Sequence, residues 1–123
     1  MTGDLTVPNL TANNVLLDEI DLTSGESISS SAFAQTIFEF SNSDYNSAEL
    51  VITATDGNNR HITKLLIVHD NTTAYATEFG SIFTNASLAE YDVDMQSGNI
   101  VLNATAASSN TTTYKIAATL IRD

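Results

Sequence analysis

Two neighbouring residues have the types that acid–base chemistry needs. His69 stands directly before Asp70, and a carboxylate beside an imidazole can orient the ring as a general base. Adjacent residues of a strand point to opposite faces, however, so such a pair rarely forms a dyad. No serine stands in the context of a nucleophile elbow. We therefore interpret His69-Asp70 as a hydrogen-bonded turn and predict no catalytic residue.

A row of carboxylates is the second candidate. Asp92 and Asp94 alternate along one predicted strand, with Glu90 beside them, and Ca²⁺ takes six to eight oxygen ligands. The row lacks the glycine and asparagine spacing of a calcium loop, and residues 18–21 are no closer to it. Paired carboxylates also serve glycoside hydrolysis, but the chain has no tryptophan to stack on sugars. We interpret these acids as solvated faces and predict no enzyme, no metal and no cofactor.

The charge balance narrows the range of partners. Four lysines and arginines stand against 15 aspartates and glutamates, for a net charge of -11 in 123 residues. This balance opposes binding to a phosphate backbone. No apolar run approaches the roughly 18 residues of a membrane span, and no cysteine is present. We expect a single domain with neither nucleic acid nor membrane as a partner, and ordinary surface positions for the four basic residues.

The chain changes character near residue 32. Residues 1–31 set short apolar clusters among polar residues and end in a serine-rich stretch that we predict to be flexible. Such a segment is either a disordered tail or an extended arm that lies on another chain. Its eight large aliphatic residues favour the arm, with residues 32–123 as the folded domain. The predicted partner-binding residues of the arm are Leu5, Val7, Leu10, Val15, Leu16, Leu17, Ile20 and Leu22.

Residues 32–123 carry β-strand signals throughout. Apolar and polar residues alternate in most segments, and Asp56-Gly57 is a strong hairpin signal. The run Leu65–Val68 is wholly apolar, which predicts burial on both faces of a central strand. Turn signals recur every ~8–12 residues. The prediction is an all-β domain, an antiparallel β-sandwich or jelly roll of about eight strands, with an extended N-terminal arm.

Several stretches resemble tailed-phage virion structural proteins. They are residues 48–57, 63–70, 72–80, 91–94 and 97–102, and a leader at residues 3–7 and 10–15 is similar to phage fibre proteins. The resemblance implies a non-enzymatic virion component, either a capsid decoration (cement) protein or a short fibre. It also implies a homo-oligomer, most simply a trimer. The short chain favours decoration, with the arm attached to the major capsid protein on the outer capsid surface.

Two other functions stay open at this point. The chain could be a tail or head fibre module that binds a host-surface glycan through exposed loop residues such as Asp44, Tyr45 and Asp70. It could also be a small glycan hydrolase. The acidic charge suits the exterior of a particle, because a packaged genome would repel it. Charge does not separate decoration from fibre.

Overall fold

The computed structural model describes Thr6 and residues 8–123. Within these residues all of the regular elements are β-strands. In chain order they are β1 (Asn14–Leu16), β2 (Ile20–Ser29), β3 (Gln35–Ser41), β4 (Tyr45–Asp56), β5 (Asn59–His69), β6 (Ala74–Phe83), β7 (Ala89–Gln96), β8 (Asn99–Ala106) and β9 (Thr112–Arg122).

The nine strands form two antiparallel sheets that face each other. One sheet has six strands in the order β1-β2-β9-β4-β5-β6, and the other has three in the order β3-β8-β7. The predicted all-β antiparallel sandwich is therefore confirmed, with nine strands in place of about eight. The six-plus-three arrangement gives no support to the jelly-roll form of the prediction.

Tight turns set the strand register where the sequence predicts them. The β4–β5 ladder closes at Asp56 and Asn59, and Gly57 between them has a φ of 61°. The β7–β8 ladder closes around Ser97 and Gly98, whose φ values are 52° and 85°. In the β7–β8 turn both central residues have positive φ, which is the geometry of a type I′ turn, and the twist of such a turn matches that of paired strands.

The core fills the space between the sheets. Leu50 and Ile52 of β4, Ile100 of β8 and Tyr114 of β9 are 0% exposed, and they belong to one continuous cluster. Full burial of a large apolar side chain contributes about 1.5–3 kcal/mol. The inward–outward alternation of β4 and β9 therefore fixes which face the six-stranded sheet turns inward.

Residues 20–29, which the sequence analysis places in the arm, form β2 inside the six-stranded sheet. Ten successive pairs join β2 to β9, from Ile20 opposite Ile121 to Ser29 opposite Thr112. The serine-rich stretch is thus a strand, because β9 supplies partners for its backbone groups. Gly25 permits close contact with the other sheet, since a Cβ there would lie 3.2 Å from the Phe38 ring.

The predicted arm residues are mainly exposed. Leu10, Leu16 and Leu17 are 69%, 61% and 52% exposed, Val15 and Leu22 are also exposed, and Ile20 is half-buried. Leu5 and Val7 lie outside the described residues. Binding of a partner by this segment stays a prediction.

The outward side of the six-stranded sheet is called here the outer face, and the exposure of its residues differs from the prediction. Leu65 and Ile67 are buried, but their neighbours Leu66 and Val68 are 43% and 51% exposed. The prediction that this run is buried on both faces is wrong for the single chain, because the three-stranded sheet covers only the inward side. Large apolar residues stand exposed across the outer face: Leu22, Ile28, Ile62, Leu66, Val68, Tyr75, Phe79, Ile82 and Ile121.

Candidate functional site

Polar turns collect at one end of the sandwich, called here the turn end. The β1–β2, β3–β4, β5–β6 and β7–β8 connections all lie there, because their strands are antiparallel neighbours within or across the two sheets. Backbone bonds join them: Asn42 N–H donates to Gly98 at 3.0 Å, and Asp123 N–H donates to Asp44 at 3.0 Å. The turn end contains all three predicted glycan contacts, namely Asp44, Tyr45 and Asp70.

A buried carboxylate anchors this end. Asp21 is 2% exposed. Its Oδ1 accepts a hydrogen bond from Arg122 Nη2 at 2.6 Å, and its Oδ2 accepts another from the Tyr45 hydroxyl. The Arg122 guanidinium also lies 5.8 Å from the centre of the Tyr45 ring. Three strands are thereby linked, β2, β4 and β9. Tyr45 is thus held in a fixed orientation, with its ring edge against Phe40, and it is half-buried.

His69 and Asp70 form the turn that the sequence predicts. His69 Nε2 donates to the Tyr45 carbonyl at 2.6 Å, so its Nδ1 is free to accept the Asn71 N–H at 3.0 Å. Asp70 Oδ1 accepts from the N–H groups of Thr73 and Thr72 at 2.7 and 2.9 Å. These two backbone donors lower the pKa of the Asp70 carboxyl below its ordinary value. The carboxylate stays exposed and charged at the tip of the turn.

Three tyrosines have raised pKa values for different reasons. The hydrogen bond to Asp21 is the main cause for Tyr45, followed by desolvation. Burial is the main cause for Tyr91 and Tyr114, whose rings meet edge to face at 6.3 Å. Neither of these two buried hydroxyls has a hydrogen-bond partner among the residues that the structure describes.

The tyrosine pKa values predict alkaline instability. A tyrosine hydroxyl whose pKa is raised by the fold loses its proton at a higher pH than the same hydroxyl in the unfolded chain. The contribution of these tyrosines to stability is therefore fully present below pH 10, the ordinary tyrosine pKa, and it is lost as pH rises through the raised pKa values. We expect the urea midpoint to decline steadily above that pH, together with the appearance of tyrosinate absorbance. A Tyr91→Phe Tyr114→Phe variant should show a shallower decline, and an identical slope would contradict the assignment.

The predicted row of carboxylates lies on strand β7 and not in the turns. Glu90, Asp92 and Asp94 are exposed on the outward side of the three-stranded sheet. Over the described part of the chain, no group of three or more histidines, cysteines or carboxylates could hold a metal ion.

Three of the four basic residues form ion pairs. These are Lys64 with Glu49 at 3.8 Å, Lys115 with Glu26 at 3.9 Å and Arg122 with Asp21. In residues 6 and 8–123 no helix is long and apolar enough to cross a membrane.

A shallow groove marks the outer face. Its volume is about 610 Å³, and it lies across β4, β5, β6 and β9. The lining is mainly apolar, with Leu66, Val68, Tyr75 and Ile121 around it. Next to it the Lys64 ammonium lies 5.4 Å from the centre of the Phe79 ring. Such a surface suits contact with apolar side chains better than hydrogen bonding to sugar hydroxyls.

Comparison with solved structures identifies the class of protein in which this fold occurs. The chain is similar to the tailspike protein of Acinetobacter baumannii phage AM24, with a TM-score of 0.50 and 9% identity over 81% of this chain. It is also similar to the tailspike protein of A. baumannii bacteriophage Fri1, a capsular polysaccharide depolymerase, with a TM-score of 0.49 and 13% identity over 81% of this chain. This chain covers 26% and 17% of those two chains. No protein-family model and no curated protein matches it.

The comparison corrects one prediction. The sequence analysis predicts that the chain is not an enzyme, but a tailspike with a related fold is a capsular polysaccharide depolymerase. The prediction that the chain is not an enzyme is therefore withdrawn. The same neighbours give no support to a position on the capsid in particular.

Proposed function

We propose that this chain is a domain of a phage tail spike or tail fibre that contacts host-surface polysaccharide. The supporting observation is the likeness of the sandwich to the AM24 tailspike over 81% of this chain. The fibre-like leader and the virion resemblance of the sequence point to the same class. The chain covers 26% of the AM24 tailspike, so the proposal concerns one module of such a protein.

The turn end is the surface we assign to polysaccharide. Its exposed carboxylates accept hydrogen bonds from sugar hydroxyl or ammonium groups, and the rigid hydrogen-bonded turns hold them in place. Asp18, Glu19, Asp44, Asp70 and Asp123 are all exposed there. Among the described residues of the turn end, the arginine or lysine present is Arg122, which is already paired with Asp21. This balance repels acidic polymers and favours polysaccharides with neutral or amino sugars.

The test is a binding assay on immobilised capsular polysaccharides of different charge. The variants Asp44→Asn and Asp70→Asn remove charge but keep an oxygen acceptor, so the Asp70 turn is preserved. Each should weaken binding to an amino-sugar polysaccharide by about tenfold, as expected for loss of a charge-assisted hydrogen bond. Asp92→Asn, on the three-stranded sheet, is the matched control and should bind like the parent chain.

Two results would contradict the proposal. One is no binding by the parent chain to any polysaccharide on the panel. The other is an equal loss from Asp92→Asn, which would mean that net charge and not the turn end governs binding. Release of shorter oligosaccharides in the same samples would extend the proposal from binding to depolymerisation.

A further inference from the structure

The outer face has the composition of a covered surface. Leu66, Val68, Tyr75 and Phe79 are 43–54% exposed and Ile82 is 70% exposed. They stand side by side, because Leu66 pairs with Thr77 and Val68 with Tyr75 across the β5–β6 ladder. The sequence of β5 is apolar on both sides, as in a strand buried on both faces. The single chain buries only one of those sides.

The opposite surface of the sandwich has the composition of a solvated one. Glu39, Glu90, Asp92 and Asp94 all point outward from the three-stranded sheet, and all four are exposed. The two outward sides of this small domain therefore differ in composition. Large apolar residues are concentrated on the side that has no second layer, and acids on the side that meets water.

The size of the outer face fits a stable interface between proteins. Five of its strands have 10–12 residues. With about 4.8 Å between strands and about 3.3 Å per residue, the face measures roughly 24 Å by 33 Å, or about 800 Å². A standard specific interface buries about 800 Å² per partner.

The charge of the outer face permits a second copy as the partner. Two copies of a chain with a net charge of -11 repel each other over most of their surfaces. The central outer face carries two lysines and two glutamates, paired as Lys64–Glu49 and Lys115–Glu26. Its net charge is therefore zero, and it is the extended face on which copies can approach without repulsion.

We propose that the outer face of the six-stranded sheet is an interface between copies of this chain. The β5–β6 half, with Leu66, Val68, Tyr75 and Phe79, lies against apolar side chains of a second copy. This assembly does not depend on sugar binding or on the assignment to a tail spike.

Sedimentation equilibrium tests the interface directly. The parent chain should have a mass of two or more chains of 13.1 kDa. Leu66→Lys should raise the dissociation constant by about 100-fold or more, because it places an ammonium group in an apolar contact. Thr105→Lys, exposed on the three-stranded sheet, adds the same charge outside the interface and should assemble like the parent chain.

A labelling experiment covers the case in which Leu66→Lys fails to fold. The chain has no cysteine, so single cysteines can be placed at Thr77 on the outer face and at Thr105 as the control. At high protein concentration Thr77→Cys should react with a maleimide at least tenfold more slowly than Thr105→Cys, and dilution should remove the difference. A parent chain that is monomeric at all concentrations, or equal labelling of both cysteines, would overturn the proposal.

Discussion

Replacement of Arg122 by alanine should lower the free energy of unfolding by about 3 kcal/mol or more. The change leaves the Asp21 carboxylate 2% exposed with the Tyr45 hydroxyl as its remaining side-chain partner. Removal of one member of a buried ion pair typically costs 3–5 kcal/mol, because a charge is left uncompensated. Arg122 itself is 35% exposed, which argues for the lower end of that range. Urea denaturation of the parent and variant chains measures the difference.

Two further variants make this result specific to the buried pair. Arg60→Ala removes an exposed arginine whose only side-chain hydrogen bond within the described residues goes to the Asn58 carbonyl, and it should change stability by less than about 0.5 kcal/mol. Adding Asp21→Asn to Arg122→Ala removes the stranded charge and should restore part of the loss. Equal losses of stability from Arg122→Ala and Arg60→Ala would mean that the Arg122–Asp21 ion pair does not stabilise the fold.

The effect of Leu65→Ala on stability should be independent of protein concentration, whereas the effect of Leu66→Ala should depend on it. Leu65 is 2% exposed between the sheets, whereas Leu66 is 43% exposed on the outer face. Truncation of a buried leucine costs about 2–5 kcal/mol, so Leu65→Ala should destabilise the chain at every concentration. Leu66→Ala should lose stability only at concentrations where copies associate, because association adds to the stability of the folded chain by mass action.

Thermal unfolding over a dilution series distinguishes the two leucines. Each variant is compared with the parent chain at the same concentration, and Thr105→Ala serves as a truncation on the opposite surface. A loss for Leu66→Ala as large as that for Leu65→Ala under dilute conditions would mean that residues 65–68 are packed on both faces within one chain. That outcome would contradict the exposed outer face.

The strands and turns could be predicted because their signals are local. The Asp56-Gly57 turn and the alternation of β7 each lie within a few residues of sequence. β2 could not be found in this way, because Ser24, Gly25 and Ser27 have low strand preference. Pairing with β9, about 90 positions later, overrides that preference. The prediction that Leu65–Val68 is buried on both faces was wrong because one side of this run faces the core and the other faces outward.

The candidate site could be predicted only in part. Asp44, Tyr45 and Asp70 were identified as loop residues, and the fold brings them to one end of the sandwich. The anchoring carboxylate was missed because Asp21 is 24 positions from Tyr45 and 101 from Arg122. The acidic segment at residues 18–21 showed a possible charge cluster, but no pattern along the chain reveals which of its members is buried.

Because β9 lies inside the six-stranded sheet, this sheet cannot form until β9 has been synthesised. β9 lies between β2 and β4, and it pairs with both over nearly its whole length. A nascent chain that has not reached residue 112 has two long strands without their shared neighbour. β2 and β4 then expose unpaired backbone groups and apolar residues. The six-stranded sheet therefore closes only after β9 has been synthesised, and a chain that ends before residue 112 leaves β2 and β4 without the strand that joins them.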